Sequence, residues 1–511
     1  MISLVHAITV NGLDTTIVDI EVDINNGLPA FTIVGLPDQW VQESKERLRS
    51  ALKSSGAKIP PTRITVNLAP ANIKKTGPCF DLWIAIGILL DQGYIKDDEL
   101  IRDSVFLWEL SLSGDLRHIP SVLPATIWAK EKWFKRIFIP VENTKEASII
   151  PDIEVIKIKN LEELIDILNR DIEYSAEPVL DLASLRDDVF ESQYDFSHII
   201  GQSHAKRALE IAAAGGHNIF MEGPPGSWKT LLAKSFATIL PDLTLDEAIE
   251  ISKIYSISWL LSNDNPLVTE RPFRSIHHTA SSASIIGWGT QAKPGEISLA
   301  HKWVLFLDEI LEFQKTVLEV LRQPLEDWEI TVTRVNASYT YPAKFSLVGA
   351  MNPCPCGYMS DPDKECICST NQIANYRWRL SGPLLDRVDM YIEVPKVPTE
   401  DFRKAKDHVS EDSHSVQKRV QAAKNIQLER FINMEISANS EMSSKDIKTL
   451  CTLDSESEWI LSQAVKSMNL SARSYYRILK LSRTIADLEN TSEITSSHIL
   501  EALSYRKREE S

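Results

Sequence analysis

Two short stretches carry residue types whose spacing suits phosphate chemistry. The first is Gly223-Pro224-Pro225-Gly226-Ser227-Trp228-Lys229-Thr230. A glycine-containing loop between a strand and a helix turns backbone N–H groups toward phosphate oxygens. In such a loop a lysine reaches the β and γ phosphates and a hydroxyl holds Mg²⁺. Lys229 and Thr230 stand at those two places, and the apolar run NIFME before the loop and TLLAKSFATIL after it supply the strand and the helix. The departure is Trp228, where the pattern has a glycine that gives the backbone freedom and close approach. The second stretch is WVLFLDEI, an apolar strand ending in Asp308-Glu309. Paired carboxylates at a strand end suit metal binding by Asp308 and water activation by Glu309. The alternative is an acidic strand end facing solvent.

Four of the six cysteines fall close together as Cys354-Pro-Cys356 and Cys366-Ile-Cys368, with a polar, turn-rich loop between them. Four thiolates at this spacing can close a tetrahedral Zn²⁺ site of the structural kind. The alternative is four reduced, unliganded thiols. Six cysteines in 511 residues do not make a disulfide framework.

The elements that must position these groups read as α/β followed by helix. Residues 1–168 alternate like half-buried strands in ITVNGLDTTIVDIEVDI, with Asn11-Gly12 as a turn. RITVNLAP and residues 135–140 are further strands, and residues 42–55, 81–90 and 161–169 are helices. An acidic linker is expected over 169–193, a second α/β domain over 194–395, and a charged helical domain over 396–511. Residues 329–347 read as two strands and a turn, in which Arg334 and Lys344 are either phosphate contacts or solvated strand residues. RPFRSIHH, residues 271–278, either faces nucleic acid or lines the nucleotide domain.

Composition bounds the rest. Hydrophobic residues are 43% and charged residues 25%, ordinary for a soluble globular chain of roughly three domains. The longest apolar run, residues 80–90, contains Asp81 and is too short to span a bilayer. The first residues lack a basic segment and a cleavage site, so a cytoplasmic protein with no membrane partner is expected. The net charge of −16 excludes a generally basic nucleic-acid coat, though not a local basic channel.

With these motifs in view, the sequence resembles the ComM/YifB-type magnesium-chelatase-like AAA+ ATPases along nearly its whole length. The stretches that carry the resemblance include VGLPDQWVQESKERLRSAL, RITVNLAPANIKKTGPCFDL, GQSHAKRALEIAAAGGHN, ERPFRSIHHTAS, KPGEISLAH, AMNPCPCGY and RLSGPLLDRVD. The resemblance implies a Lon-protease-like α/β N-terminal domain, a P-loop AAA+ core and a C-terminal helical lid. It implies ATP and Mg²⁺ as ligands and a homo-oligomeric ring, a hexamer. Asn352 becomes the polar sensor near the γ phosphate, Arg387 the finger offered to a neighbouring subunit, and Arg473 the sensor arginine of the lid. An arginine supplied across an interface neutralises transition-state charge, so hydrolysis would need the ring. Cys79 falls where the Lon protease has its serine, but residues 114–120 have no lysine to serve a Ser–Lys mechanism, so no peptidase activity is expected. The ComM branch implies a helicase or branch-migration motor on branched or single-stranded DNA, acting in DNA uptake and recombination. Two rival readings remain, a nucleotide-binding scaffold disabled by Trp228 and a metal-chelatase motor subunit.

One peculiarity bears on the first rival. Glycine is 19 of 511 residues, about half the usual share of roughly 7%, while tryptophan is 12. Against the family pattern, Trp108, Trp133, Trp228, Trp259, Trp288, Trp303 and Trp328 all stand where glycine is usual. Trp40 and Trp83 fit that pattern less clearly. The expectation is that these codons are UGA, read as glycine in the cell of origin.

Overall fold

A computed structural model describes residues 3–506, apart from residues 38, 58, 60, 71–74, 76–79, 97–98, 181–193, 262–263, 272, 290–291, 335–336, 398–410 and 469. The stretch around Cys79 and most of the expected linker lie outside the described residues. Two compact units emerge, one of Met1–Asp188 with Ala248–Thr269, the other of Val189–Glu247 with Glu270–Ser511. Among the described residues, no helix is long and apolar enough to cross a membrane.

In the first unit, β1 (Ser3–Asn11) and β2 (Asp14–Asn25) form an antiparallel hairpin closed at Asn11 and Asp14. With β3 (Ala30–Val34) and β4 (Arg63–Ala69) they make a sheet of order β1-β2-β4-β3. The inward positions Val18, Ile20 and Val22 alternate with polar neighbours, the period that half-buries a strand. Helix α1 (Gln39–Ser54) and the apolar helix α2 (Asp81–Asp91) follow. The fully buried Asp81 carboxylate of α2 is held by the Arg47 guanidinium of α1 at 2.6 Å. A parallel sheet of β5 (Ser104–Phe106), β6 (Arg136–Pro140) and β7 (Glu154–Ile158) completes the unit. It is flanked by α3 (Val122–Glu131) and α4 (Leu161–Leu168).

The second unit is built on five parallel strands. Helix α5 (Ser203–Gly215) leads into β8 (Ile219–Glu222) and then helix α6 (Lys229–Phe236), while the next helix, α7 (Leu245–Ile257), belongs from Ala248 onward to the first unit. The other strands are β9 (Phe273–Ile276), β10 (Trp303–Leu307), β13 (Phe345–Met351) and β14 (Met390–Glu393). The sheet order is β9-β10-β13-β8-β14. Strand β8 is buried along its length, as expected of a parallel strand covered on both faces. Between β10 and β13 the chain forms an antiparallel hairpin of β11 (Glu329–Arg334) and β12 (Ala337–Pro342). Among the described residues five helices follow: α8 (Ser413–Arg430), α9 (Ser444–Leu450), α10 (Ser455–Ser467), α11 (Ala472–Leu488) and α12 (Ser496–Ser504). Asp412, Ser443, Asp454 and Ser471 cap the first four, each accepting an N–H from the first turn. The mixed α/β architecture with parallel strands and a helical C-terminal region is the fold class expected from the sequence.

A buried carboxylate ties the helices to the sheet. Asp389, just before β14, receives the backbone N–H of Asn218 at 3.2 Å. It also faces His217 at 3.4 Å and Arg477 of α11 at 3.3 Å. Burial pushes its pKa up, but the His217 hydrogen bond and the Arg477 charge outweigh burial and hold it far below the usual carboxylate range. A depressed folded-state pKa gives stability that is complete above the unfolded value of about 3.9 and is lost as pH falls below it. Asp389→Asn is therefore expected to cost about 3 kcal/mol at pH 7, because it leaves Arg477 buried without its charge partner. The gap from the parent chain should narrow below about pH 4; denaturant unfolding at both pH values reads it.

Candidate nucleotide site and its arginines

The loop from Gly223 to Thr230 leaves the C-terminal end of β8, and Asp308 follows the C-terminal end of the neighbouring-but-one strand β10. Asn352 follows β13, which lies between them. In parallel α/β sheets ligands bind at this edge, because the strand ends and helix N-termini converge there. A cavity of about 340 Å³ is lined by residues of the loop, by Asp308 and Glu309, and by Asn352. Gly223 is packed so closely that a Cβ on it would lie 2.2 Å from the Val394 carbonyl oxygen.

Within this cavity the side chains are already arranged. Lys229 Nζ donates to the carbonyl oxygens of Gly223 at 2.6 Å and Pro224 at 2.9 Å, and reaches Asn352 Oδ1 at 3.3 Å. Burial lowers its pKa to about 8, against the pull of Asp308, Glu309 and Glu222. Thr230 Oγ1 donates to Asp308 Oδ2 at 2.8 Å. A hydroxyl and a carboxylate in contact at a phosphate loop are a donor pair that a hard divalent cation can share. Glu309 is half exposed and has His278 Nδ1 at 3.5 Å. Pairing with Glu309 is a part for His278 that the sequence does not disclose, since the two residues come from separate strand ends. Trp228 lines the cavity as the residue before α6, in the left-handed conformation with φ 69°.

The two arginines lie elsewhere. Neither Arg387 nor Arg473 borders the cavity that holds Lys229. Both meet Glu326, Arg473 at 3.1 Å and Arg387 in closer contact. They share a second cavity of about 500 Å³ with Arg477 and Lys480. Arg387 is buried and also donates to the Pro383 carbonyl at 2.6 Å.

Other readings of the sequence are resolved by contacts. Lys344 is neither a strand residue nor a free phosphate contact, since it lies beyond β12 and pairs with Glu441 at 3.1 Å. The side chain of Arg334 lies outside the described residues. Arg271 is largely enclosed, its side chain 12% exposed, and donates to the carbonyls of Lys302 and Asp242 and to Glu247 at 2.9 Å. Arg274 is paired with Glu296 at 2.7 Å. Both arginines thus line the nucleotide domain.

The four cysteines converge. Cys354 Sγ is 3.4 Å from Cys356 Sγ and 3.6 Å from Cys366 Sγ, and all four sulfurs lie within 4.8 Å of one another. Four sulfurs at ~2.3 Å from one tetrahedral zinc would stand about 3.8 Å apart, so the donor set fits. The Tyr358 backbone N–H lowers the Cys356 thiol to about 6.

Comparison with known proteins agrees with this geometry. Residues 195–402 match the family model described as magnesium chelatase, subunit ChlI; residues 20–143 and 410–506 match models for subunit ChlI of Mg-chelatase and for its C-terminal region. The chain is 42% identical to the competence protein ComM of Haemophilus influenzae, over 99% of this chain and 97% of that one. This chain belongs to the ComM/YifB-type magnesium-chelatase-like AAA+ family. It is 38% identical to the uncharacterised protein YifB of Escherichia coli over the same shares. The likeness to the magnesium-chelatase 67 kDa subunit of Chlorobaculum parvum is 27%, over 42% of this chain and 28% of that one. Members of the magnesium-chelatase-type AAA+ class are ATPases, so a motor of that general kind follows from membership.

The crowding at Gly223 gives a direct test of the loop. Gly223→Ala should lose about 1–3 kcal/mol, because the new methyl meets backbone that must move. Gly382→Ala, at a position with open space, should lose none. Unfolding midpoints of the two variants distinguish them.

Proposed function

We propose that the chain hydrolyses ATP as a homo-oligomeric ring, a hexamer, and uses the energy to move DNA strands. The observation that carries the ATPase reading is the convergence of Lys229, Thr230, Asp308, Glu309 and Asn352 on one cavity. In this reading backbone N–H groups of residues 223–230 bind the phosphates, and Lys229 turns from its carbonyl partners to the β and γ oxygens. Thr230 and Asp308 would hold Mg²⁺, which supplies charge neutralisation. Glu309 takes the proton of the attacking water, with His278 positioning its carboxylate. Asn352 orients the γ phosphate.

The separation of Arg387 and Arg473 from Lys229 favours completion of the site by a neighbouring copy. The arginine-lined cavity of one subunit would face the phosphate loop of the next. Such an arginine is worth about 10³-fold or more in turnover. Full-length likeness to ComM, against partial likeness to the chelatase subunit, favours DNA over a porphyrin substrate. The DNA is branched or single-stranded, as competence and recombination require. We assign a structural Zn²⁺ to Cys354, Cys356, Cys366 and Cys368, and the cytoplasm as the place of action. The domain limits we adopt are those of the sequence, 1–168, 194–395 and 396–511. A second reading, a nucleotide-binding scaffold that does not turn over, is favoured by Trp228 alone.

DNA-stimulated ATP hydrolysis by the protein with Trp228→Gly is the deciding measurement. Hydrolysis that branched DNA does not raise would remove the DNA motor, and no hydrolysis would leave the scaffold. In that background Glu309→Gln should bind ATP yet turn over at least ~100-fold more slowly. Mixing Lys229→Ala with Arg387→Ala subunits should recover activity that neither has alone; no recovery would count against a shared site. Metal analysis should find one zinc per chain, lost when Cys366 and Cys368 become serine.

A further inference from the structure

The backbone says what the residue types at several tryptophans conceal. Trp133, Trp228, Trp259 and Trp328 have φ of 65°, 69°, 62° and 61°. These values lie in the left-handed region, where a Cβ crowds the following carbonyl and a bulky side chain is an outlier. Among the described residues thirteen non-glycine positions have positive φ, and four of them are tryptophan. Tryptophan is 12 of 511 residues, so its share of the chain would put well under one there.

The hydrogen bonds around two of them define the position more sharply. After α3, the N–H of Trp133 donates to Lys130 O and that of Phe134 to Ala129 O, both at 3.0 Å. After α7, the N–H of Trp259 donates to Ser256 O at 3.1 Å and that of Leu260 to Tyr255 O at 2.9 Å. This paired 5→2 and 6→1 arrangement is the Schellman end of a helix, whose left-handed residue is usually glycine. The same chain ends α1 and α2 the same way, and there the residues are Gly56 and Gly93, with φ of 78° and 74°. Arg170 and Asn490 also occupy such ends, so the place tolerates a side chain. What it does not reward is an indole, and Trp133 is 90% and Trp259 57% exposed.

We infer that glycine is the natural residue at positions 133, 228, 259 and 328, so that the phosphate loop of the native protein reads GPPGSGKT. The inference stands on backbone geometry; only its catalytic consequence at position 228 rests on the ATPase reading. Glycine there supplies the left-handed residue at the entrance to α6 without a ring in the cavity. The chain then has an uninterrupted phosphate loop, and the case for a disabled scaffold loses its one support.

Two measurements test it. Peptide mass spectrometry of the protein isolated from its own cells should find glycine at the four positions, encoded by UGA. Tryptophan in those peptides, or UGG codons, would overturn the inference. In the tryptophan-bearing recombinant chain, Trp133→Gly and Trp259→Gly should each raise the unfolding midpoint by ~2 °C. Trp459→Gly, at an exposed site inside helix α10, should lower it. Equal losses at all three would count against it. Glycine in the native peptides together with no hydrolysis by the Trp228→Gly chain would sink the ATPase reading and leave this inference standing. Tryptophan in the native peptides together with hydrolysis by that variant would do the reverse.

Discussion

The parallel pairing of β8, β13 and β10 is the constraint on which the site depends. Each strand delivers one functional segment at its C-terminal end: the phosphate loop, Asn352, and Asp308-Glu309. The pairing of Glu222 with Met351 sets the loop beside Asn352, and that of Leu307 with Gly349 sets the carboxylates one strand further out. A one-residue slip in either pair would turn every buried side chain of the strand to the opposite face. Close packing of these strands against the layers on both faces opposes that slip. The spacing of these residues is thus fixed by hydrophobic packing far more than by the polar contacts within the cavity.

Those polar contacts are of the kind that can be exchanged. Lys229 is held by two backbone carbonyls and an amide oxygen, and burial has brought its pKa down to about 8. A half-buried ammonium whose hydrogen-bond partners are neutral gains from an arriving anion. Thr230 and Asp308 hold each other at 2.8 Å, and the same hydroxyl and carboxylate would be the donors for a divalent cation bound there. Lys229, Thr230 and Asp308 are thus held beside the loop by hydrogen bonds rather than by an ion pair.

Much of this site was legible because its signals are local. A loop motif between an apolar strand and a helix, a carboxylate pair closing a strand, and C-x-C spacing are all read within a dozen residues. What was not legible involves residues far apart in sequence. Residues 248–269 cluster with the first unit although they lie within the second one's span. The pairing of His278 with Glu309 and of Lys344 with Glu441 arises only when separate strand ends and helices meet. Charge alone suggested a nucleic-acid contact for Lys344 and Arg271, but both satisfy backbone or carboxylate partners within the domain. A lone basic residue near a hairpin carries little information until its neighbours are known.

The two arginines at Glu326 illustrate how burial divides similar side chains into different tasks. Arg387 is 8% exposed and anchored by the Pro383 carbonyl as well as by Glu326, so its direction is set by the fold. Arg473 is more than half exposed, and its contact with Glu326 is a surface ion pair. Such a pair is worth only about 0–1 kcal/mol and is weakened by salt. Arg473 can therefore leave Glu326 for a stronger anion at small cost, whereas Arg387 can meet one only where it already points. A nucleotide phosphate brought to this face by a second subunit would find one arginine fixed and one adjustable. In the proposed ring the fixed one would make the geometry of the interface matter, and the adjustable one would let the site respond to what is bound.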